Sequence, residues 1–230
     1  DVSISNNIIK QLSDAYRRIR NTCRFMLGNF GDFDIASDMQ PISEMSELDR
    51  FILHRLHHVV DRALKSYDSF EFHTIYHTLH NFCVVDLSSF YLDIIKDRLY
   101  ASAPDDPARR DAQTVMAVIL DAVVRIMAPI LPFTADEIFA HMPKAGNTAE
   151  SIHLEPMVQL DPAWKDNTLA EKWENIRALR SEVTKALEEA RTRKLIGHPL
   201  DAKLSIMLPD TELKTIVQGL KEPLHDIFIV

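Results

Sequence analysis

The sequence predicts a mainly α fold: a helical bundle, then a long helix, then the start of a small α+β module. Three observations point there. Only 5 glycines occur among 230 residues, which leaves few places for tight hairpins. Most of the chain repeats apolar side chains at helical spacing. After Pro199 the period changes: Ala202, Leu204, Ile206 and Leu208 alternate with Lys203, Ser205 and Met207, which is strand patterning.

The first helix covers residues 6–27 and stops at Gly28-Asn29. At 100° per residue, Ile8, Leu12, Ala15, Ile19, Cys23 and Met26 fall within an arc of about 80°. That arc is its core face. Lys10, Arg17, Arg20, Asn21 and Arg24 fall within about 100° on the opposite side. A second helix begins near Ser43 or Ser46 and runs to about Tyr67, with Leu48, Phe51, Ile52, Leu56, Val59, Val60 and Ala63 recurring at helical spacing. A third, the longest, spans about residues 71–100 without Gly or Pro, its apolar face carrying Phe72, Ile75, Leu79, Cys83, Phe90 and Ile94.

Asp106-Pro107 is an N-cap followed by a first-turn proline, opening a fourth helix to about Met127. Pro129 and Pro132 break it, and Thr134 with Glu137 reads as a capping box restarting a short helix to about Met142. A turn-rich connector follows, with an extended piece expected at residues 151–154. Asp166 or Thr168 then caps a helix built on Trp173, Ile176, Leu179, Val183, Leu187 and Ala190. Pro209-Asp210 opens a short helix to Gly219, and residues 225–230 read as a strand. Three regions result: a bundle over 1–142, connector and long helix over 143–198, and the start of an α+β unit over 199–230. A chain that starts at Asp1 and stops inside an apparent strand reads as a piece of a longer protein.

Composition narrows the function classes. Lys and Arg number 26 against 34 acidic residues, giving −8, which argues against wholesale non-specific binding to nucleic acid. Residues 1–30 nevertheless carry net +3. Any nucleic-acid surface is therefore local, and the first helix is where it is expected. Arg20 and Arg24 are spaced to follow an RNA backbone or to lay a guanidinium plane on an unstacked base. A solvated charged face is the alternative. The 2 cysteines make no CxxC pair, which fits a reducing, cytoplasmic setting, and apolar runs are too short to span a membrane.

Standard catalytic devices are missing from the pattern: no GxGxxG, no GxxxxGK[ST], no GxSxG and no HExxH. No catalytic residue and no metal ligand is assigned. His73, His77 and His80 share a helical face and His54, His57 and His58 cluster on the preceding helix; a solvated or interface face is expected, since three successive turns of one helix cannot converge on zinc unaided. The same cluster could instead touch RNA. Asp86 projects from the middle of the third helix's apolar face and is expected to form a structural ion pair with Arg24, Arg50 or Arg55.

Several long runs carry a resemblance. YRRIRNTCRFMLGN at 16–29, LDR at 48–50, NFCVVDLSSFYLDIIKDRLY at 81–100, APILPFTADEI at 128–138 and WENIR at 173–177 closely resemble the bacterial isoleucyl-tRNA synthetase family of class I aminoacyl-tRNA synthetases. The likeness covers nearly the whole chain. The valine-specific family is similar in the first and fourth helices but differs over 86–100, and Phe139 stands where the isoleucine family usually has Trp. The resemblance implies an anticodon-binding helical bundle that contacts isoleucine-specific tRNA and the rest of a synthetase chain. It implies a parent that uses ATP with magnesium and binds zinc outside this region. The nucleotide-binding signatures of that family are absent here, so the fragment alone is expected to be inactive. The expected tRNA contacts are Tyr16, Arg17, Arg20, Asn21 and Arg24. In the methionine-specific relatives an Asn and an Arg one turn apart read the anticodon; Arg20 matches the Arg, whereas Tyr16 takes the Asn position. A non-RNA-binding helical scaffold is the rival reading.

Overall fold

The computed structural model describes residues 4–146, 148–209 and 211–230. Helix α1 (Asn6–Leu27) starts at Ser5, whose side chain accepts the Ile8 N–H at 3.3 Å. It ends where Gly28 N–H reaches the Arg24 carbonyl and the Asn29 amide donates to the Phe25 carbonyl at 2.8 Å. Gly28 keeps a right-handed φ of −65°, so the stop does not use glycine's freedom. The core face of α1 is shorter than its pattern. Ala15, Ile19, Cys23 and Met26 are buried, but Ile8 and Leu12 are 41% and 52% exposed.

Helix α2 (Glu47–Asp68) is capped twice. Ser46 accepts from Asp49 N–H, and Glu222, from the far end of the chain, accepts from Leu48 N–H at 3.1 Å. The single helix expected over 71–100 is instead a broken rod. Helix α3 (Phe72–Asn81) passes into a π-helical segment (Phe82–Tyr91), then α4 (Leu92–Ile94), a break at Ile95, and α5 (Lys96–Tyr100). Wider turns closed by i→i+5 bonds let this segment serve three neighbours. Ser88 meets Thr22 of α1 at 2.9 Å, Asp86 meets both Arg55 of α2 and Arg177 much later in the chain, and the Tyr91 hydroxyl donates to Asp49 of α2 at 2.7 Å. Phe72 is not core: it lies 49% exposed at the rod's tip, edge-on to Tyr67 and Phe70.

Helix α6 (Pro107–Met127) is the central member, buried along most of its length and capped by Asp106, which accepts from Ala108 and Arg109. In α7 (Pro132–His141) the expected capping box does not form. Pro132 opens the helix from Leu131, which makes no side-chain cap bond. The three polar side chains are used elsewhere: Thr134 bonds Tyr16, Glu137 pairs with Arg20, and Asp136 accepts from the Ser151 hydroxyl and Ile152 N–H. Ile152–Leu154 is a 3-10 turn rather than an extended piece.

Asp166 accepts from Leu169 N–H and starts α8 (Asn167–Thr192), the longest uninterrupted helix, whose Trp173 stacks on Phe51 at 5.8 Å. Beyond it the β expectation is not met. Among the described residues there is no strand; over 202–208 burial alternates as the pattern requires, but no second strand lies alongside to pair with it. A short helix, α9 (Glu212–Gln218), follows; Asp210, expected to help open it, lies outside the described residues. Where the last strand was expected the chain forms α10 (Leu224–Phe228), stopped by Ile229 at φ 56°. Its Ile227 and Phe228 close a core that is continuous back to Ile19 of α1.

Candidate nucleic-acid interface

The basic face of α1 divides into two parts. Toward α7, the Tyr16 hydroxyl lies 3.0 Å from Thr134 Oγ1, and Arg20 donates to Glu137 at 3.3 Å. On the outer surface Arg17 pairs with Asp14 at 3.2 Å. Two of the arginines of α1 therefore have acidic partners. Both pairs are exposed, a class worth about 0–1 kcal/mol, so either exchanges readily for a phosphate. Arg18 and Arg24 are exposed, and among the described residues neither has a carboxylate within ion-pair distance.

Away from α7, α1 and the rod from the π segment to α5 enclose a groove of about 320 Å³. Arg18, Asn21, Thr22 and Phe25 form one wall, and Val84, Ser88, Leu92 and Lys96 the other. Thr22 and Ser88 hydrogen-bond across its floor, and Lys96 is held upright by Asp93 at 2.8 Å. Asn21 and Phe25 also line a second hollow, together with Arg24, Asn29 and Tyr100, a residue that is 65% exposed. Cations at the rims, aromatic edges and small hydroxyls match what a single-stranded loop requires: phosphate neutralisation outside, stacking and edge bonding within.

Of the five residues expected at the surface, Asn21 and Arg24 line these hollows, while Tyr16 and Arg20 belong to the α1–α7 seam and Arg17 stands apart. Arg18, Phe25, Lys96 and Tyr100 were not anticipated. Part of the signal was present: Arg18, Asn21, Thr22 and Phe25 occupy i, i+3, i+4 and i+7, one face of a helix. Lys96 and Tyr100 could only be placed by the fold.

Asp86 is buried behind the groove. It accepts from Arg55 Nε at 3.2 Å and pairs with Arg177 of α8 at 2.9 Å, tying three elements together. Arg177 in turn lies 5.3 Å from the Phe90 ring. Among the described residues no group of three or more His, Cys, Asp or Glu is arranged to hold a metal ion. The histidines instead contact one another and aromatic rings: His54 and His58 share a 3.0 Å bond, and His77 and His80 both lie against Tyr76.

A family model described as the anticodon-binding domain of tRNA ligase matches residues 49–206, which leaves α1 upstream of the matched span. Curated relatives extend over it. An isoleucine–tRNA ligase of Syntrophotalea carbinolica is 48% identical over 230 residues, 100% of this chain and 25% of that protein. One from Geobacter sulfurreducens is 47% identical over 230 residues, 100% of this chain and 24% of that protein. One from Desulfitobacterium hafniense is 48% identical over 231 residues, again 100% of this chain and 25% of the relative. The chain therefore spans about a quarter of the length of these relatives.

Proposed function

Because the chain belongs to the family of anticodon-binding domains of tRNA ligases, we propose that it binds the anticodon arm of isoleucine-specific tRNA as part of an isoleucine–tRNA ligase. The observation that carries this reading is the α1–π groove, where Arg18 and Arg24 stand without carboxylate partners among the described residues beside Phe25, Lys96 and Tyr100. Arg18, Arg24 and Lys96 hold phosphates in this reading. Asn21 reaches a base edge, and Tyr100 and Phe25 offer rings to unstacked bases. Arg17, Arg20 and Tyr16 extend the contact along α1, Arg20 by leaving Glu137.

The ligase chemistry, isoleucine activated with ATP and magnesium, is proposed for parts of the longer relatives beyond this chain, as is zinc binding. No step of it is assigned to residues here. The exposed Ile4, Ile8, Ile9 and Leu12 support a contact with those other parts. No helix among the described residues is long and apolar enough to cross a membrane, and we place the protein with its tRNA in the cytoplasm.

Binding of an isoleucine-tRNA anticodon stem-loop, followed by fluorescence anisotropy across a salt series, tests the reading. Arg18→Ala and Arg24→Ala are each expected to weaken binding about threefold to tenfold and to reduce the salt slope by about 0.7–0.9, with Arg24→Lys recovering most of the slope. Equal binding by the wild type and the double variant would leave the scaffold reading, which the Asp14–Arg17 and Glu137–Arg20 pairs favour.

A further inference from the structure

On the other side of the α3–π rod, a second cleft of about 330 Å³ opens between α2 and α3. Arg55, His58, Val59 and Arg62 line it from α2, again at i, i+3, i+4 and i+7. His77, Thr78, Asn81, Phe82 and Asp86 line it from the rod. Asp86 is the single carboxylate in this lining, and Arg55 and Arg177 already neutralise it. Arg62 is exposed and has no carboxylate within ion-pair distance among the described residues.

The histidines add a donor whose identity follows from the hydrogen bonds. Asp166 N–H donates to His54 Nδ1 at 3.0 Å, so the proton of neutral His54 is on Nε2. That Nε2–H faces His58 Nε2 at 3.0 Å, which must then accept. His58, exposed, keeps its own proton on Nδ1 with no partner among the described residues. Partial desolvation and the neighbouring His57 hold His58 below its ordinary value. The cleft thus presents a guanidinium, an imidazole N–H and the Asn81 amide around a space that suits a phosphate and its sugar.

We propose that this cleft holds a backbone phosphodiester of the same RNA that lies in the α1–π groove, the strand passing over the exposed spine of His77, Asn81, Val85 and Ser88. The inference rests on the proposed RNA binding but on different residues. It makes the rod a rail with a cationic hollow on each side, and it gives the histidine cluster a role that neither metal nor catalysis supplies. RNA is favoured over a free anion because the two hollows share one helix and both contain cations with no carboxylate partner among the described residues.

The full chain and the anticodon stem-loop serve for the test. Arg62→Ala and the double change His77→Ala with Asn81→Ala alter exposed side chains and are expected to lower affinity about threefold to tenfold and the salt slope by about 0.7–0.9. Arg62→Lys restores the slope. Ethylation interference is expected to identify a phosphate whose modification weakens wild-type binding but no longer matters in Arg62→Ala, different from the one silenced by Arg24→Ala. An unchanged affinity and ethylation pattern for both variants, with Arg24→Ala still weak, overturns this inference and leaves the proposed function standing. A wild type that binds no RNA overturns both. If inorganic phosphate alone shifts the Asn81 amide resonance as far and as tightly as RNA does, the cleft is a free-anion site and the inference fails.

Discussion

Asp49 is fully buried, and three side chains surround its carboxylate. Ser46 and Tyr91 hydroxyls donate to it at 2.7 Å, and Arg98 at 2.9 Å. Its charge affects its neighbourhood: Tyr91 is pushed well above the usual phenol value by burial and then by Asp49. Asp111 is raised to about 6, again by burial first and Asp49 second. A carboxyl raised in the folded state favours the fold fully below its unfolded value near 3.8 and loses that contribution as pH climbs through about 6. Asp111→Asn is therefore expected to stabilise the protein by about 1 kcal/mol at pH 7.5, after discounting for its partial exposure, and to be neutral at pH 3.5. Urea midpoints at the two pH values check it; a gain at acid pH would contradict the assignment.

Among the elements, α8 shows how docking and protonation are joined. His54 accepts the Asp166 N–H at the helix entrance, and burial, then His58 and His57, lower it to about 4. A histidine lowered in the fold supports stability fully above its ordinary 6.5, and that support is lost as pH falls through about 4. The wild type is expected to lose about 1–2 kcal/mol more than His54→Asn between pH 7 and pH 4, read as converging urea midpoints. Element existence was legible in the sequence because periodicity and caps are local: Asp106, Ser46 and Asp166 all act where they were expected. Three features were not local. The π segment leaves no Gly or Pro trace, since its wide turns answer partners on α1, α2 and α8. Thr134 and Glu137 match a capping box, but Tyr16 and Arg20 capture them from another helix. Residues 202–208 and 225–230 carry β patterning, but a strand needs a neighbour, and the described chain offers none. In the candidate interface, the stripe on α1 was visible, whereas the groove required knowing that Ser88 and Lys96 sit across from it.

At the scale of the whole molecule, Arg180 joins the parts. From α8 its guanidinium donates to the Ile227 carbonyl at 2.8 Å, the Ser89 carbonyl at 2.9 Å and Asp93 at 2.9 Å. The 199–230 region is thereby fastened to the π rod, and Glu222 fastens it to α2. Arg180→Ala is expected to cost about 2 kcal/mol in urea unfolding and to raise amide exchange first in α10, because three charge-assisted bonds are lost together. Exchange unchanged in α10 would show that the apolar contacts of Ile227 and Phe228 suffice.

Cys23 and Cys83 are both buried in the seam between α1 and the π segment, and burial pushes Cys23 up to about 12 and Cys83 well above its usual value. Neither sulfur has appreciable thiolate at neutral pH, so the chemistry of an alkylating reagent is switched off while the seam is shut. Whatever modification occurs then counts separations of α1 from the rod, and the pair acts as a clock for the very joint that floors the groove.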